Sequence, residues 1–324
     1  MRSVAKIIVR NIQKERNNKE DIMILSDGKI DCPRITTQCC VLDRMLGGGM
    51  PLGRVIEIYG NEGSGKTTLA LHICAAAQQA GGIAAIIDTE HALDPIYAKA
   101  IGVDWGETIF SQPNGGEEAM EIAKSIMLAK DRLLKDKPLV IVIDSAAALP
   151  TREELEGGIA DTRISPVARL LSQTLRRLSG IIGNTNTLFI FTNQLRDKVM
   201  SWGNPSKSTG GRALKFYTSI RLELTSGSQL KKGNNAVGQI VKFRVAKNKT
   251  FPPFKKGEFH IRWGMGIDMA HSLFALGVEE KIIRKKGNWF QFGKFRYHGA
   301  NVFIEKLRND EVTYNAIESR LMSS

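Results

Sequence analysis

Six apolar runs cross the middle of the chain and predict the strands of one sheet. The first four are continuous rather than alternating, which is typical of strands buried on both faces of a mostly parallel sheet. The last two mix apolar with polar positions. The runs are "RVIEIYG" (54–60), "IAAIID" (83–88), "LVIVID" (139–144), "TLFIFTNQ" (187–194), "SIRLEL" (219–224) and "IVKFRV" (240–245).

Helical patterns separate these runs, as in "GEEAMEIAKSIMLAKDRLL" (116–134) and "PVARLLSQTLRRLSGII" (166–182). Alternating strands and helices predict the α/β class, with a mostly parallel central sheet and flanking helices. After the fourth run we expect the strand to end at Gln194 and a long polar loop to follow, through about Gly211. Long loops without structure of their own are uncommon in compact domains and are usually functional or disordered.

The pattern also suggests three regions. Val4, Ile7, Ile8 and Ile12 form one helical stripe, which we expect to pack on another copy of the protein. The predicted domains are 1–33, an N-terminal polymerisation helix; 34–268, the α/β core; and 269–324, a small mixed α/β, basic C-terminal domain.

Charge is compatible with nucleic-acid binding. The formal net charge is +13, and residues 225–324 hold 18 Lys and Arg against 8 Asp and Glu. A basic region of this kind fits a nucleic-acid surface, or equally a basic face that only keeps the protein in solution. The four cysteines form no C-x-x-C pair, which fits a reducing cytosol, and no apolar run is long enough to span a membrane.

The strongest motif is "GNEGSGKTT", which matches G-x-x-x-x-G-K-[ST] between a predicted strand and a predicted helix. Backbone N–H groups of such a loop and the following helix N-terminus bind phosphates. Lys66 is expected to reach the β- and γ-phosphates, and the Thr67 hydroxyl to bind Mg²⁺. The predicted nucleotide-binding residues of this segment are Gly60, Asn61, Glu62, Gly63, Ser64, Gly65, Lys66, Thr67 and Thr68.

Polar residues end the next three strands: Asp88 with Glu90, Asp144, and Asn193 with Gln194. Ligands of open α/β sheets bind at the carboxyl ends of the strands, so we expect all of these groups to face one γ-phosphate. Asp144 would lie near Mg²⁺, Glu90 would activate water, and Gln194 would report the γ-phosphate to the loop. Individually, Asp144 and Glu90 could instead cap the following helices, and Gln194 could satisfy loop backbone.

These residues make the chain similar to the bacterial RecA recombinase family, from about Ile30 to Lys286. The stretches that carry the resemblance are "GGGMPLGRVIEIYGNEGSGKTT", "IDTEHALDPIYAKAIGVD", "VIVIDSAAAL", "TNQLRDKV", "GNPSKSTGGRALKFY" and "AKNKTFPPFK". The resemblance implies a RecA-like P-loop ATPase core that uses ATP and Mg²⁺. It also implies a cytoplasmic, nucleoid-associated recombinase, which forms helical filaments on single-stranded DNA and pairs it with homologous duplex DNA. A further implied role is to stimulate self-cleavage of an SOS repressor.

The resemblance also assigns residue roles. Glu90 resembles the family's catalytic carboxylate and Gln194 its γ-phosphate sensor, while Asp94 and Tyr97 match positions that contact adenine. Lys247 and Lys249 match lysines that reach the γ-phosphate of the neighbouring subunit; without the resemblance they would be read as surface lysines. Phe216 matches an aromatic residue of the subunit interface.

Two loops, near 155–164 and 192–211, are expected to line the filament axis. Arginine and backbone N–H groups hold phosphates without reading sequence, and apolar side chains can unstack a base step. Trp202 could stack on a base, although packing at the base of the loop is the interpretation we favour. The matching DNA-binding positions are Ile164, Arg169, Ser172, Arg176, Arg196, Val199, Gly210, Gly211 and Arg212.

Near the C-terminus, "KIIRKKGNWFQFGKFRYHG" interleaves basic and aromatic residues. We expect its aromatic side chains to form the core of the small domain and its basic side chains to collect duplex DNA.

Other functions remain open at this point. The same core serves ring-forming DNA-dependent ATPases and helicases, and a diverged regulatory paralogue or a passive single-strand-binding protein could keep the fold. A small-molecule kinase is a further class, for which no acceptor pocket is evident. The intact Lys66, Glu90 and Asp144 argue for an active ATPase.

Overall fold

The computed structural model describes residues 4–16, 22, 32–157, 166–197, 206–208 and 211–322. Two units are distinguished, Met1–Pro33 and Arg34–Ser324. In the first unit, the helix α1 (Val4–Arg16) carries the predicted apolar stripe, and Val4, Ile7 and Ile8 are exposed.

The second unit alternates helices and strands as the sequence predicts. Within its described residues the helices are α2 (Cys40–Leu46), α3 (Lys66–Gln79), α4 (Pro95–Ile101), α5 (Gly116–Leu133), α6 (Arg152–Glu156), α7 (Pro166–Asn184), α8 (Gly211–Tyr217), α9 (Met269–Glu279), α10 (Ala300–Asn309) and α11 (Glu311–Met322). The strands are β1 (Arg34–Ile35), β2 (Met50–Pro51), β3 (Arg54–Gly60), β4 (Ile83–Asp88), β5 (Thr108–Ser111), β6 (Leu139–Asp144), β7 (Thr187–Asp197), β8 (Ser206–Ser208), β9 (Ile220–Lys232), β10 (Asn235–Asn248), β11 (Lys256–Arg262), β12 (Gly266–Ile267), β13 (Arg284–Lys286), β14 (Trp289–Phe292) and β15 (Phe295–His298).

The central sheet confirms the predicted α/β class. Its strand order is β12-β11-β10-β9-β3-β7-β6-β4-β5. The six strands from β9 to β5 are parallel to their neighbours, while β10, β11 and β12 extend the sheet in antiparallel fashion. Register places Asp88 opposite Asp144, and Gly60 opposite Gln194. The carboxyl ends of β3, β7, β6 and β4 therefore meet at one edge.

The strand expected to end at Gln194 continues to Asp197, so that prediction was wrong. Leu195, Arg196 and Asp197 pair with the antiparallel strand β8, and the ladder hydrogen bonds hold the backbone extended despite its polar sequence. The segment expected to be one long loop is therefore a hairpin at its base.

Both faces of the sheet are buried, which explains the continuous apolar runs. Ile56 and Ile58 of β3 point to the face covered by α3, and Val55 points to the face covered by α5 and α7. A third apolar cluster joins α9, α10 and α11 to the sheet β13-β14-β15. This cluster fits the predicted region 269–324, although residues 34–324 form one compact unit, and a separate domain there stays a prediction.

Within the described residues, no helix has the length and apolarity that crossing a bilayer requires.

Candidate functional site: a phosphate-binding loop and its strand ends

The glycine-rich loop connects β3 to α3, and two of its glycines are required by close approach. A Cβ on Gly60 would lie 2.1 Å from the carbonyl oxygen of Leu224. Gly65 has φ +87°, and a Cβ there would lie 2.5 Å from Cδ1 of Ile261. The loop therefore holds its backbone against β9 and β11, with α3 starting directly after it.

Lys66 is the first residue of α3 and its side chain is largely buried. Its Nζ donates hydrogen bonds to the carbonyl oxygens of Gly60 (3.2 Å) and Asn61 (2.8 Å), both in the loop. Burial lowers the pKa of Lys66. The ammonium group of Lys66 thus lies over the loop where the phosphates are expected to bind.

Thr67 and Asp144 meet across the gap between α3 and β6. The Thr67 hydroxyl donates to Oδ2 of Asp144 at 2.6 Å, and the Thr192 hydroxyl donates to Oδ1. Burial raises the pKa of Asp144, although both hydroxyl groups favour its charged form. A carboxylate beside a hydroxyl group supplies the oxygen ligands that Mg²⁺ prefers.

Glu90 lies next to this pair, in the segment that follows β4. Its Oε1 accepts hydrogen bonds from the Ser145 hydroxyl and, at 3.2 Å, from Nε2 of Gln194. The structure thus brings the predicted base and the predicted sensor into direct contact. It also shows that neither Glu90 nor Asp144 caps a helix.

One strand-end group, Asn193, does not face this edge, contrary to the sequence prediction, whereas Asp88 lies beside Thr67 and Asp144 but is bonded within its own loop. Asp88 is buried and accepts hydrogen bonds from the backbone N–H of Glu90 and Leu93 and from Gln112, so it shapes the loop after β4. Asn193 points into the protein, where its Nδ2 donates to Oε1 of Glu57 at 2.9 Å. Alternation along β7 sends Asn193 and Gln194 to opposite faces, so only one of them can reach the site.

Asp94 and Tyr97 lie at the start of α4, beside the phosphate loop. The Tyr97 hydroxyl is 2.9 Å from Oγ1 of Thr68, which fixes the ring next to α3. Oδ1 of Asp94 accepts a hydrogen bond from the N–H of Ile96 and caps α4. Asp94 therefore has a structural role whether or not it contacts a ligand.

The predicted intersubunit residues lie together on another part of the surface. Nζ of Lys247 donates to the carbonyl oxygen of Lys215 at 2.6 Å, at the C-terminal end of α8. The neighbouring Phe216 is 80% exposed, so its ring is accessible for a subunit interface. Lys249 is exposed at the end of β10.

The predicted DNA-contacting residues are only partly described. Arg169, Ser172 and Arg176 are exposed at helical spacing on one side of α7. Gly211 begins α8. Ile164, Val199, Trp202 and Gly210, with the side chains of Arg196 and Arg212, lie outside the described part of the chain.

The C-terminal sheet divides its aromatic residues between two environments. Phe290 and Phe292 are buried in the cluster with α9 and α10, as expected. Trp289 and Phe295 are 40% and 43% exposed, so the expectation that the aromatic side chains all form a core was wrong. Alternation along the strands places Trp289 with basic residues on the outer face, and the Arg296 guanidinium lies 4.3 Å from its ring centroid.

Several residues of the site were missed by sequence reasoning. Thr192 and Ser145 hold the two carboxylates, and each directly precedes or follows a residue that was identified, Asn193 and Asp144 respectively. Their place next to identified residues was the sequence signal that could have found them. Glu57 and Arg221 form a buried ion pair behind Asn193, and the single charge inside the apolar run "RVIEIYG" was the signal for it.

The fold and this site define an α/β protein of the P-loop nucleotide-binding class. The family model for the RecA N-terminal domain matches residues 3–268. Protein RecA of Mycobacterium marinum is 48% identical over 295 residues, covering 89% of this chain and 82% of the relative. Protein RecA of Gloeobacter violaceus is 45% identical, and the match covers 90% of this chain and 78% of the relative. Protein RecA of Chlorobium chlorochromatii is also 45% identical, and the match covers 94% of this chain and 86% of the relative.

The chain belongs to the RecA family. It is accordingly a homologous recombinase and a DNA-dependent ATPase, which binds nucleotide and DNA and assembles into filaments. The ring-forming, passive-binding and kinase alternatives are thereby set aside.

Proposed function

We propose that the nucleotide is ATP with Mg²⁺, bound between the phosphate loop and the carboxyl ends of β4, β6 and β7. The glycines at 60 and 65 let the loop backbone pack closely against β9 and β11, where a Cβ would clash, and the backbone N–H groups of such a loop fit phosphate oxygens. Lys66 already donates to loop carbonyls, and in the bound state it would turn to the β- and γ-phosphates. Thr67 and Asp144 would hold Mg²⁺, which neutralises charge developing on the phosphoryl group.

Glu90 is the proposed general base. Its Oε1 is held by Ser145 and Gln194, so the carboxylate keeps a fixed direction and its other oxygen, Oε2, is left to accept a proton from water. Gln194 is the proposed sensor. Contact with a γ-phosphate would draw its amide from Glu90, which frees the base and shifts β7.

The contact between Gln194 and Glu90 is the observation that carries this proposal. Gln194 lies three residues before the end of β7, which pairs with β8 to form the base of the second predicted DNA loop. The nucleotide state sensed at Glu90 and Gln194 is thereby connected mechanically to the segment expected to contact single-stranded DNA. The proposed DNA contacts are Ile164, Arg169, Ser172, Arg176, Arg196, Val199, Gly210, Gly211 and Arg212.

Self-assembly into a helical filament would use α1, Phe216, Lys247 and Lys249. The exposed phenylalanine and the exposed stripe of α1 each need an apolar partner, and a second copy of the chain provides one. Reaching the γ-phosphate of a neighbour requires Lys247 to exchange its carbonyl contacts for phosphate. Action on chromosomal DNA would put the protein in the cytoplasm, at the nucleoid. Stimulation of an SOS repressor is proposed from the family alone.

The outer face of β13-β14-β15 is the proposed site of duplex capture. Arg284, Lys286, Trp289 and Arg296 alternate onto that face, opposite the buried Phe290. Basic side chains beside an amphipathic ring suit phosphate contacts without sequence specificity.

The test is ATP hydrolysis with and without single-stranded DNA for wild type, Glu90→Gln and Glu107→Gln. Glu107 is an exposed carboxylate away from the site and serves as the matched control. We expect hydrolysis to be strongly stimulated by DNA in wild type and in Glu107→Gln, and lost in Glu90→Gln, which keeps nucleotide binding. Hydrolysis that ignores DNA, or that survives in Glu90→Gln, would contradict the assigned roles.

A further inference from the structure

A row of polar side chains crosses four neighbouring strands of the central sheet. The strands β7, β3, β9 and β10 lie side by side, and the row consists of Asn193, Glu57, Arg221 and Lys247, one from each. Glu57 is opposite Arg221, and Arg221 is opposite Lys247. These side chains share the face of Val55, Phe189 and Phe191, which is the face covered by α7 and α8.

Glu57 is the centre of this row and is completely buried. Its Oε1 accepts from Nδ2 of Asn193 at 2.9 Å, and its Oε2 accepts from Nε of Arg221 at 2.5 Å. The guanidinium of Arg221 also lies 4.5 Å from the ring centroid of Tyr59. Both carboxylate oxygens are therefore committed to partners on the two flanking strands.

Stability alone does not call for a carboxylate at this position. Burying an ion pair has a desolvation cost that often cancels its attraction, and apolar residues of similar volume are commonly as stable. What the pair provides instead is a fixed geometry, because each oxygen accepts from one defined donor.

The two ends of the row lie at functionally distinct places. Asn193 directly precedes Gln194, whose amide contacts Glu90 at 3.2 Å. At the other end, Lys247 holds the carbonyl oxygen of Lys215 at the C-terminal end of α8. The helix α8 begins at Gly211, just after the second predicted DNA loop. The row thus runs from the strand that enters this loop to the lysine that holds the helix leaving it, with Arg221 and Lys247 joined by strand pairing rather than by a hydrogen bond.

We propose that Glu57 is a positioning residue that links Gln194, through Asn193 and Arg221, to Lys247 and α8. Displacement of β7 by nucleotide is passed across the sheet to the helix that anchors the DNA-binding segment. Glu57 touches neither nucleotide nor DNA and acts only through these partners. This inference rests on the proposed sensor role of Gln194.

The experiment measures nucleotide control of DNA binding rather than activity. Fluorescence anisotropy of a labelled oligo(dT) gives its affinity with a slowly hydrolysed ATP analogue and with ADP, and the ratio of the two reports the coupling. Glu57→Gln keeps the side-chain volume but removes the charge that faces Arg221. We expect it to reduce the ratio by about tenfold, while binding of a fluorescent ATP analogue without DNA changes by less than about twofold.

Glu223→Gln is the matched control. It removes a neighbouring ion pair with Arg244 (2.7 Å), which joins β9 to β10 on a more exposed part of the sheet. We expect the ratio to be unchanged in this variant. Adding Arg221→Gln to Glu57→Gln should cause little further loss, because both substitutions interrupt the same link.

Thermal unfolding separates positioning from stability. A Glu57→Gln protein with a lower melting temperature but a wild-type affinity ratio would overturn the proposal, since Glu57 would then only stabilise the sheet. If Glu57→Gln does not fold, Asn193→Ser interrupts the link from the other side and must reduce the ratio in the same way. A wild-type ratio near one would instead overturn the sensor role of Gln194 itself.

Discussion

Glu90 illustrates how the site is assembled from single side chains on separate strands. Its carboxylate is held by Ser145, which follows β6, and by Gln194 in β7. Asp144 is held in the same way by Thr67 and Thr192. Each charged group therefore has hydrogen-bond donors from two elements, which fixes its direction before any ligand binds.

His72 is a buried titratable residue of α3. Nε2 accepts from the backbone N–H of Ile267 at 2.7 Å, so Nδ1 carries the proton and donates to Oε1 of Gln38 at 2.6 Å. Burial lowers the pKa of His72 from 6.5 to about 4. The folded protein thus holds this imidazole neutral where the unfolded chain would protonate it.

We expect this residue to make stability fall as pH decreases. Between pH 6.5 and 4 the unfolded state binds the extra proton, so the free energy of unfolding should drop by about 3 kcal/mol across that range. Denaturant titrations of wild type and His72→Gln, at pH 7 and at pH 4.5, give the difference. A decline of equal size in both proteins would show that His72 is not responsible.

At the level of elements, continuous apolar runs were sufficient to predict the buried strands. β3, β4 and β6 lie where the sequence places them, and so do α5 and α7. The end of β7 could not be predicted, because its last residues are polar and are held by pairing with β8. Hydrogen bonds to a distant segment leave no local pattern in the sequence.

Gly180 offers a test of α7 that leaves packing unchanged. It lies in the interior of the helix, is exposed, and a Cβ there would meet no atom within 4 Å. Gly180→Ala should therefore raise the free energy of unfolding by about 0.5–1 kcal/mol, because alanine loses less backbone entropy. Chemical denaturation measures the change.

Gly65→Ala is the contrasting variant. Its backbone has φ +87°, and the added Cβ would collide with Ile261, so nucleotide binding and stability should both decrease. If Gly180→Ala were destabilising, the helix described for this segment would be in error.

At the scale of the whole molecule, the basic excess of the C-terminal third is concentrated in part on one face of the small sheet. Arg284→Gln together with Lys286→Gln should weaken duplex binding and reduce the slope of log affinity against log salt by about two. Single-strand affinity should change little. Lys135→Gln with Lys137→Gln removes equal charge from the exposed loop before β6 and is the control. Equal losses in the two double variants would indicate that only net charge matters.

Much of the site was predictable because its chemistry follows strand ends. Lys66, Thr67, Glu90, Asp144 and Gln194 all lie at the edge expected for them. The inward direction of Asn193 was not predictable, since it depends on Glu57, a partner far along the chain. The link through Glu57 required the order of the strands, which no local pattern determines.

The most direct test of the central claim is strand exchange between a circular single strand and homologous linear duplex DNA. With ATP and Mg²⁺, the wild-type protein should convert the duplex to nicked circles through joint molecules, and Lys66→Ala should not. Electron microscopy of the same samples should show helical filaments on the single strand. Wild-type protein that hydrolyses ATP on DNA but forms no joint molecules would contradict the assignment as a recombinase.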